Sequence, residues 1–280
     1  MNSFAGDPTS AFEQADALIV DRIQGLRSTS AGPVLIGLCG PQGSGKSFTA
    51  ARLVKRLQDS GLNAVARSID DFYLTREERH ALAQHVHPLL ATRGVPGTHD
   101  LVLLNETLDR LCNAGPTAEV QLPTFDKTID DRAPASDWPV FCGPAVVIIL
   151  EGWCVGARPQ PASGLAEPVN RLEAEEDPEG VWRAFVNDRL ASDYANLFDR
   201  LDLKVMLKAP SFDCIFDWRA EQEAKLDRRA DGSKPPMTAG ELQRFIAHYE
   251  RVTRWLMADE PVDLVIEIDR GLTPRRWFNP

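Results

Sequence analysis

The sequence lacks the features of several protein classes. No apolar run in its 280 residues approaches the ~20 needed to cross a bilayer, which excludes a membrane-spanning helix. Basic residues do not dominate: 31 Lys and Arg stand against 41 Asp and Glu, a formal charge of −10. An acidic chain is a poor match for nucleic acid or an anionic membrane, and only a local basic groove could offset this. The five cysteines, Cys39, Cys112, Cys142, Cys154 and Cys214, are odd in number, widely spaced and form no C-x-x-C pair. They suit reduced thiols in a reducing compartment better than a disulfide framework. The amino terminus carries Asp7, Glu13, Asp16 and Asp21 and has no basic start followed by an apolar core, so it is not read as a secretory signal. These features together point to a cytoplasmic protein. The N-K-x-D tetrapeptide that reads guanine is also missing, as is any internal repeat.

What is present centres on Gly40-Pro41-Gln42-Gly43-Ser44-Gly45-Lys46-Ser47, which satisfies G-x-x-x-x-G-K-[ST] at every fixed position. Glycines let a nest of backbone N–H groups approach phosphates without a Cβ in the way. Lys46 would reach the β- and γ-phosphates, Ser47 would sit on Mg²⁺, and the opening of the following helix adds its dipole. Context supports the motif over a chance match. Val34 to Cys39 is a short apolar run that reads as a buried parallel strand. Ala50, Leu53, Val54 and Leu57 then recur at helical spacing up to Gly61. The nucleotide-contacting set is Gly40, Pro41, Gln42, Gly43, Ser44, Gly45, Lys46, Ser47 and Phe48.

Along the chain, Ala11 to Leu26 has helical spacing and reads as a helix on the outside of the core. Strands are expected at 34–39, 64–69, 145–150, 203–209 and 262–268, with a further short candidate at Val120 to Leu122. Helices are expected at 75–90, 101–111, 181–198, 216–229 and 239–257. Pro123 to Pro139 reads as a polar loop, and Gly156 to Gly180 as a solvated surface insertion without chemistry of its own. Alternating strands and helices imply a mainly parallel five-stranded sheet with helices on both faces. One domain over 1–280 absorbs all five strands, with an N-terminal helical extension (1–30), the insertion (156–180) and a lid region (216–240).

Three features bear on chemistry. Glu151 ends the most apolar strand and is expected to help hold Mg²⁺ opposite Ser47, the alternative being a helix cap. Asp70 and Asp71 end the 64–69 strand, where ligands bind in open α/β sheets. Either could take the proton of an attacking hydroxyl, while the other binds metal or caps the next helix. Arg93, His99, Lys127, Arg132 and Arg219 form a cationic and polar set suited to a small anionic acceptor. Arg219, Lys225, Arg228 and Arg229 precede Gly232 in what reads as a lid closing over the triphosphate. His80, His85 and His87 read as surface histidines, and the six tryptophans, Trp153 and Trp218 among them, as packing.

The stretches GPQGSGKS, SIDDFYLT, RGVPGTHD, LPTFDKTIDDRA and LEGW, continuing into VN-x-x-L-x-x-Y, occur in this order. Together they resemble the plant-type D-glycerate 3-kinase family and its kinase-like relatives. These are phosphate-loop kinases related to phosphoribulokinase, uridine kinase and pantothenate kinase. The resemblance covers roughly Val34 to Ala209 and implies a three-layer P-loop NTPase-type α/β fold with a helical lid. It also implies ATP and Mg²⁺ as cofactors and a hydroxyl acceptor such as D-glycerate. It prefers Asp70 over Asp71 as the base and supports Glu151 as the metal-side acid. Tyr73, Arg93, His99, Lys127 and Arg132 then border the acceptor, and Arg219 closes from the lid. Phe125 stands where tyrosine is equally familiar, and the lid reads Gly-Ser-Lys-Pro-Pro-Met. Another acceptor (a nucleoside, a pantothenate-like molecule or a sugar phosphate) and a non-catalytic ATP-binding regulator are the alternatives. The oligomeric state is left open.

Overall fold

The computed structural model describes residues 2–227 and 237–280, without the side chains of 223–227. In chain order the elements are β1 (Asn2–Ser3), α1 (Pro8–Thr29), β2 (Val34–Cys39), α2 (Lys46–Asp59), β3 (Ala64–Ser68), α3 (Arg76–His85) and α4 (Leu101–Cys112). Then come β4 (Glu119–Gln121), β5 (Phe125–Asp126), β6 (Asp131–Arg132), β7 (Val140–Cys142), β8 (Val147–Gly152), α5 (Arg171–Glu176), α6 (Val181–Ala191) and α7 (Asp193–Phe198). The chain finishes with β9 (Leu203–Lys208), α8 (Asp213–Asp227), α9 (Ala239–Asp259), β10 (Leu264–Ile268) and β11 (Pro274–Phe278).

β2 and β8 are apolar and buried along their whole length, so both faces of the sheet must be covered by helices. The sheet runs β1-β11-β10-β9-β2-β8-β3, and its five central strands, β10 to β3, are parallel. One apolar cluster, on Leu35, Ile148, Leu150 and Val265, packs beneath α4, α6 and α9. The other, on Ile36, Ile149, Val205 and Ile266, packs beneath α1 and α2. The five expected strands are the five parallel ones. The sheet is wider than expected because β11 and then β1 add antiparallel at the β10 edge. The adjacent Arg275 and Arg276 within Pro274–Phe278 left no apolar run to reveal β11.

Local chemistry moves several boundaries. The expected 75–90 helix stops at His85 because Pro88 disfavours helical geometry just before it, and a 3-10 turn (Pro88–Ala91) follows. The 181–198 helix breaks at Ser192, whose hydroxyl donates back to the Asp188 carbonyl at 2.7 Å. Val120 lies in a separate ribbon, β4 on β7, and the expected polar loop contains the β5–β6 hairpin. Of the histidines, His80 and His85 are exposed, whereas His87 is partly buried and accepts from the Leu89 N–H.

The largest correction concerns 156–180, which is not wholly solvated. Glu173 and Asp177 are buried, and Glu173 accepts from the Arg251 guanidinium through both oxygens, at 2.8 and 2.6 Å. Arg251 also donates to the Gly164 and Glu167 carbonyls, which straps the segment onto α9. Asp177 caps α6 by accepting from the Trp182 and Arg183 N–H groups at 2.8 and 3.1 Å. The acidic run therefore neutralises buried arginines. Removing one member leaves the other charge buried and unpaired. Glu173→Ala is expected to lower unfolding free energy by about 3–5 kcal/mol, read from urea denaturation. A loss below about 0.5 kcal/mol, the size of a change at the surface, would contradict this account.

Candidate active site

β2, β8 and β3 end side by side, with Glu151 registered between Leu38 and Ser68. That register gathers the phosphate loop, Glu151 and the 69–72 turn at one edge of the sheet. The loop itself turns through Gly43 and Gly45, both at φ +83°, and Gly45 caps α2 in the left-handed conformation. A Cβ at Gly43 would lie 2.6 Å from the Trp218 Cβ on α8, so only glycine lets the loop and that helix approach.

The Ser47 hydroxyl donates to Glu151 Oε1 at 2.7 Å. Glu151 is 4% exposed, and its Oε2 is buried without a hydrogen-bond partner. A buried carboxylate oxygen left open beside a hydroxyl is a setting that a hard cation completes. The Ser47 hydroxyl and the open Glu151 oxygen therefore fit Mg²⁺. Among the described residues, no cluster of three or more His, Cys, Asp or Glu side chains competes for a metal.

Ser68 begins a 3-10 turn, Ile69–Phe72, that presents the two aspartates differently. Asp71 accepts from the Ser68 N–H in a capping box and pairs with Arg67 at 2.8 Å. Burial raises its carboxyl against the pull of Arg67. Its contacts are thus those of the capping alternative. Asp70 accepts from the Tyr73 hydroxyl through Oδ1 and from Lys127 Nζ through Oδ2, each at 2.7 Å. Burial works to raise the Asp70 carboxyl, but Lys127 and Lys46 together hold it well below the usual carboxylate range.

An open cleft of about 530 Å³ takes in this edge of the sheet. Its walls include Gln42, Lys46, Ser47, Phe48, Asp70, Asp71, Tyr73, Arg93, Lys127, Glu151 and Arg219. Arg93 is paired with Asp130 and lies over the Phe125 ring at 5.5 Å. Arg219 lies over the Phe245 ring at 5.5 Å and donates to Gln222 Oε1 at 2.7 Å. The Lys225 side chain and residues 228–236, with Arg228, Arg229 and Gly232 of the expected lid, lie outside the described residues.

Two expected acceptor residues stand outside the cleft walls. Arg132 is turned to Asp100 Oδ2 at 2.8 Å and to the Tyr73 carbonyl at 3.4 Å. His99 stacks behind Tyr73 with centroids 4.7 Å apart, and its Nδ1 meets the Tyr194 hydroxyl at 2.6 Å. Both brace the 93–100 loop and the Tyr73 segment beside it. Other contributors escaped sequence reasoning. Trp153 donates to the Gly94 carbonyl at 2.9 Å and packs edge-on against Tyr249, and both line the cleft. Gly94, at φ +139°, sits where a Cβ would strike the Tyr249 phenol. The nearest signal was Trp153 inside LEGW, two residues after the strand-end acid Glu151.

No protein-family model matches the chain. The uncharacterized kinase mug58 of Schizosaccharomyces pombe is 35% identical over 226 residues, 78% of this chain and 78% of its own length. The chloroplastic D-glycerate 3-kinase of Arabidopsis thaliana is 31% identical over 224 residues, 78% of this chain and 46% of that protein. The chain belongs to the D-glycerate 3-kinase-like family of phosphate-loop kinases. A solved D-glycerate 3-kinase from Cryptococcus neoformans var. grubii superposes with a TM-score of 0.78 at 25% identity. That match covers 96% of this chain and 99% of the other. Among the described residues, no helix of this kinase is long and apolar enough to cross a membrane.

Burial holds the His99 imidazole down to about 4 against its ordinary 6.5, although Asp70 pulls the other way. The unfolded chain binds that proton below 6.5 and the folded chain only below about 4, so His99 makes stability fall as pH drops through this window. The NMR titration midpoint of His99 is expected near pH 4, and one near 6.5 would mean that the ring is not sealed behind Tyr73.

Proposed function

We propose that this kinase moves the γ-phosphate of ATP onto a hydroxyl of a small acid, with D-glycerate and its 3-hydroxyl as the best-supported acceptor. One arrangement carries the reading: a phosphate loop with Lys46 and a hydrogen-bonded Asp70 carboxylate line the same cleft as Glu151. The acceptor class draws on the names of the plant and fungal relatives.

Gly40 to Phe48 would bind the triphosphate through loop amides and the α2 N-terminus. Lys46 would offset charge on the β- and γ-phosphates. Mg²⁺, held through Ser47 and Glu151, would neutralise developing charge on the phosphate oxygens. The acceptor oxygen forms its bond to the γ-phosphorus while the bridge to ADP breaks, and the hydroxyl proton passes to Asp70. Tyr73 would keep that carboxylate aimed through its 2.7 Å hydrogen bond. Arg93 and Lys127 are the acceptor-side cations of the cleft, and Arg219 would cover the phosphates from α8. In-line transfer needs positioning and water exclusion more than covalent chemistry, which the enclosing aromatic walls suit.

ADP release is the test, measured with and without D-glycerate and then over nucleosides, pantothenate-like alcohols and sugar phosphates. D-glycerate-dependent turnover is expected; turnover with another acceptor would change the substrate, and none at all would favour an ATP-binding regulator. Asp70→Asn is expected to lower kcat by about 10²–10⁴-fold while ATP affinity stays within about threefold. Unchanged turnover in that variant would remove Asp70 from the chemistry.

A further inference from the structure

Two of the cations expected to border the acceptor are committed to the scaffold. Arg93 is paired with Asp130, and Arg132 with Asp100. Asp130 is fixed from behind, because the fully buried Arg79 guanidinium donates to its Oδ2 at 2.7 Å and to its carbonyl at 3.0 Å. Lys127 is placed differently. It lies in the turn of the β5–β6 hairpin with its side chain 57% exposed, and the carboxylate it pairs with is Asp70 itself.

Each Asp70 oxygen therefore already accepts one bond, from Tyr73 and from Lys127. An ammonium at 2.7 Å also stabilises the carboxylate and makes it a weaker proton acceptor. The hairpin root is held to the same turn, since Phe125 packs edge-on against Tyr73 with centroids 5.3 Å apart. The lysine head can thus swing without disturbing that packing.

The geometry points to Lys127 as a latch that an anionic acceptor opens, its carboxylate drawing the ammonium off Asp70 so that recognition of the acid also frees the base. This rests on the kinase reading above and deepens it by giving the acceptor class a physical cause. Exchange of one carboxylate partner for another keeps Lys127 paired throughout, with the Tyr73 bond still orienting Asp70. A neutral polyol offers no charge in exchange, so Asp70 stays paired and turnover stays low. The device selects against hydroxyl compounds of similar size that lack an anionic group.

The experiment measures ADP release by wild type, Lys127→Ala and Lys127→Arg with D-glycerate and with glycerol, together with ATP affinity by calorimetry. Lys127→Ala is expected to raise KM for D-glycerate by about tenfold or more. It is also expected to lower the D-glycerate-to-glycerol ratio of kcat/KM by at least about tenfold, with ATP affinity within about twofold. Lys127→Arg keeps the charge and recovers part of that ratio. A lysine that only supports the hairpin would lower turnover of both acceptors together. Equal losses with both, or an unchanged KM for D-glycerate, overturns the latch and leaves the kinase reading standing. No D-glycerate-dependent turnover in the wild type overturns both.

Discussion

The parallel register of β2, β8 and β3 is the constraint from which the site follows. Pairing Leu38 and Ser68 with Glu151 brings three strand ends level, each followed by a chemically distinct segment: the phosphate loop, the acid, and the Asp70 turn. A slip of one residue would reverse the side on which Glu151 emerges and part it from Ser47. The apolar strands behind it hold the register, because all of β2 and β8 is buried and any shift would expose core or bury charge. The position of the acid is thus set by packing several residues away.

Electrostatics within the cleft is local and owes little to the chain's net charge of −10. Glu151 is buried with one oxygen open, whereas Asp70 is about a quarter exposed and bonded through both. These environments separate two carboxylates of the same chemistry, one suited to a cation and the other to a proton in transit. Asp71, one residue along, belongs to neither class. Its capping box and its Arg67 contact fix the turn that aims Asp70.

Much of this was legible in the sequence because short-range rules govern it. The phosphate loop, the five parallel strands and the strand-end acids announce themselves through glycine spacing, apolar runs and the residues that follow them. What stayed hidden depends on long-range pairing. β11 needs β10 to be recognised as a strand, and the Glu173–Arg251 pair joins residues 78 apart. A run of five mostly acidic residues reads as solvated until a buried arginine is placed against it. His99 and Arg132 carried the right chemistry for an acceptor pocket. Only the fold shows that His99 stacks against Tyr73 and that Arg132 is turned to Asp100, with neither on the cleft wall.

Helix α9 gives the C-terminal part of the chain a share in the site. It sends Phe245 beneath Arg219, Tyr249 against Trp153 and the Arg93 carbonyl, and Arg251 into Glu173. The Arg219 wall of the cleft, the 93–100 loop and the 156–180 segment are therefore joined through one helix. Gly94 leaves room for the Tyr249 phenol, which a Cβ there would strike, so the 93–100 loop and the helix pack closely. A displacement of α9 would therefore reach the cleft wall at Arg219, the 93–100 loop and the 156–180 segment together.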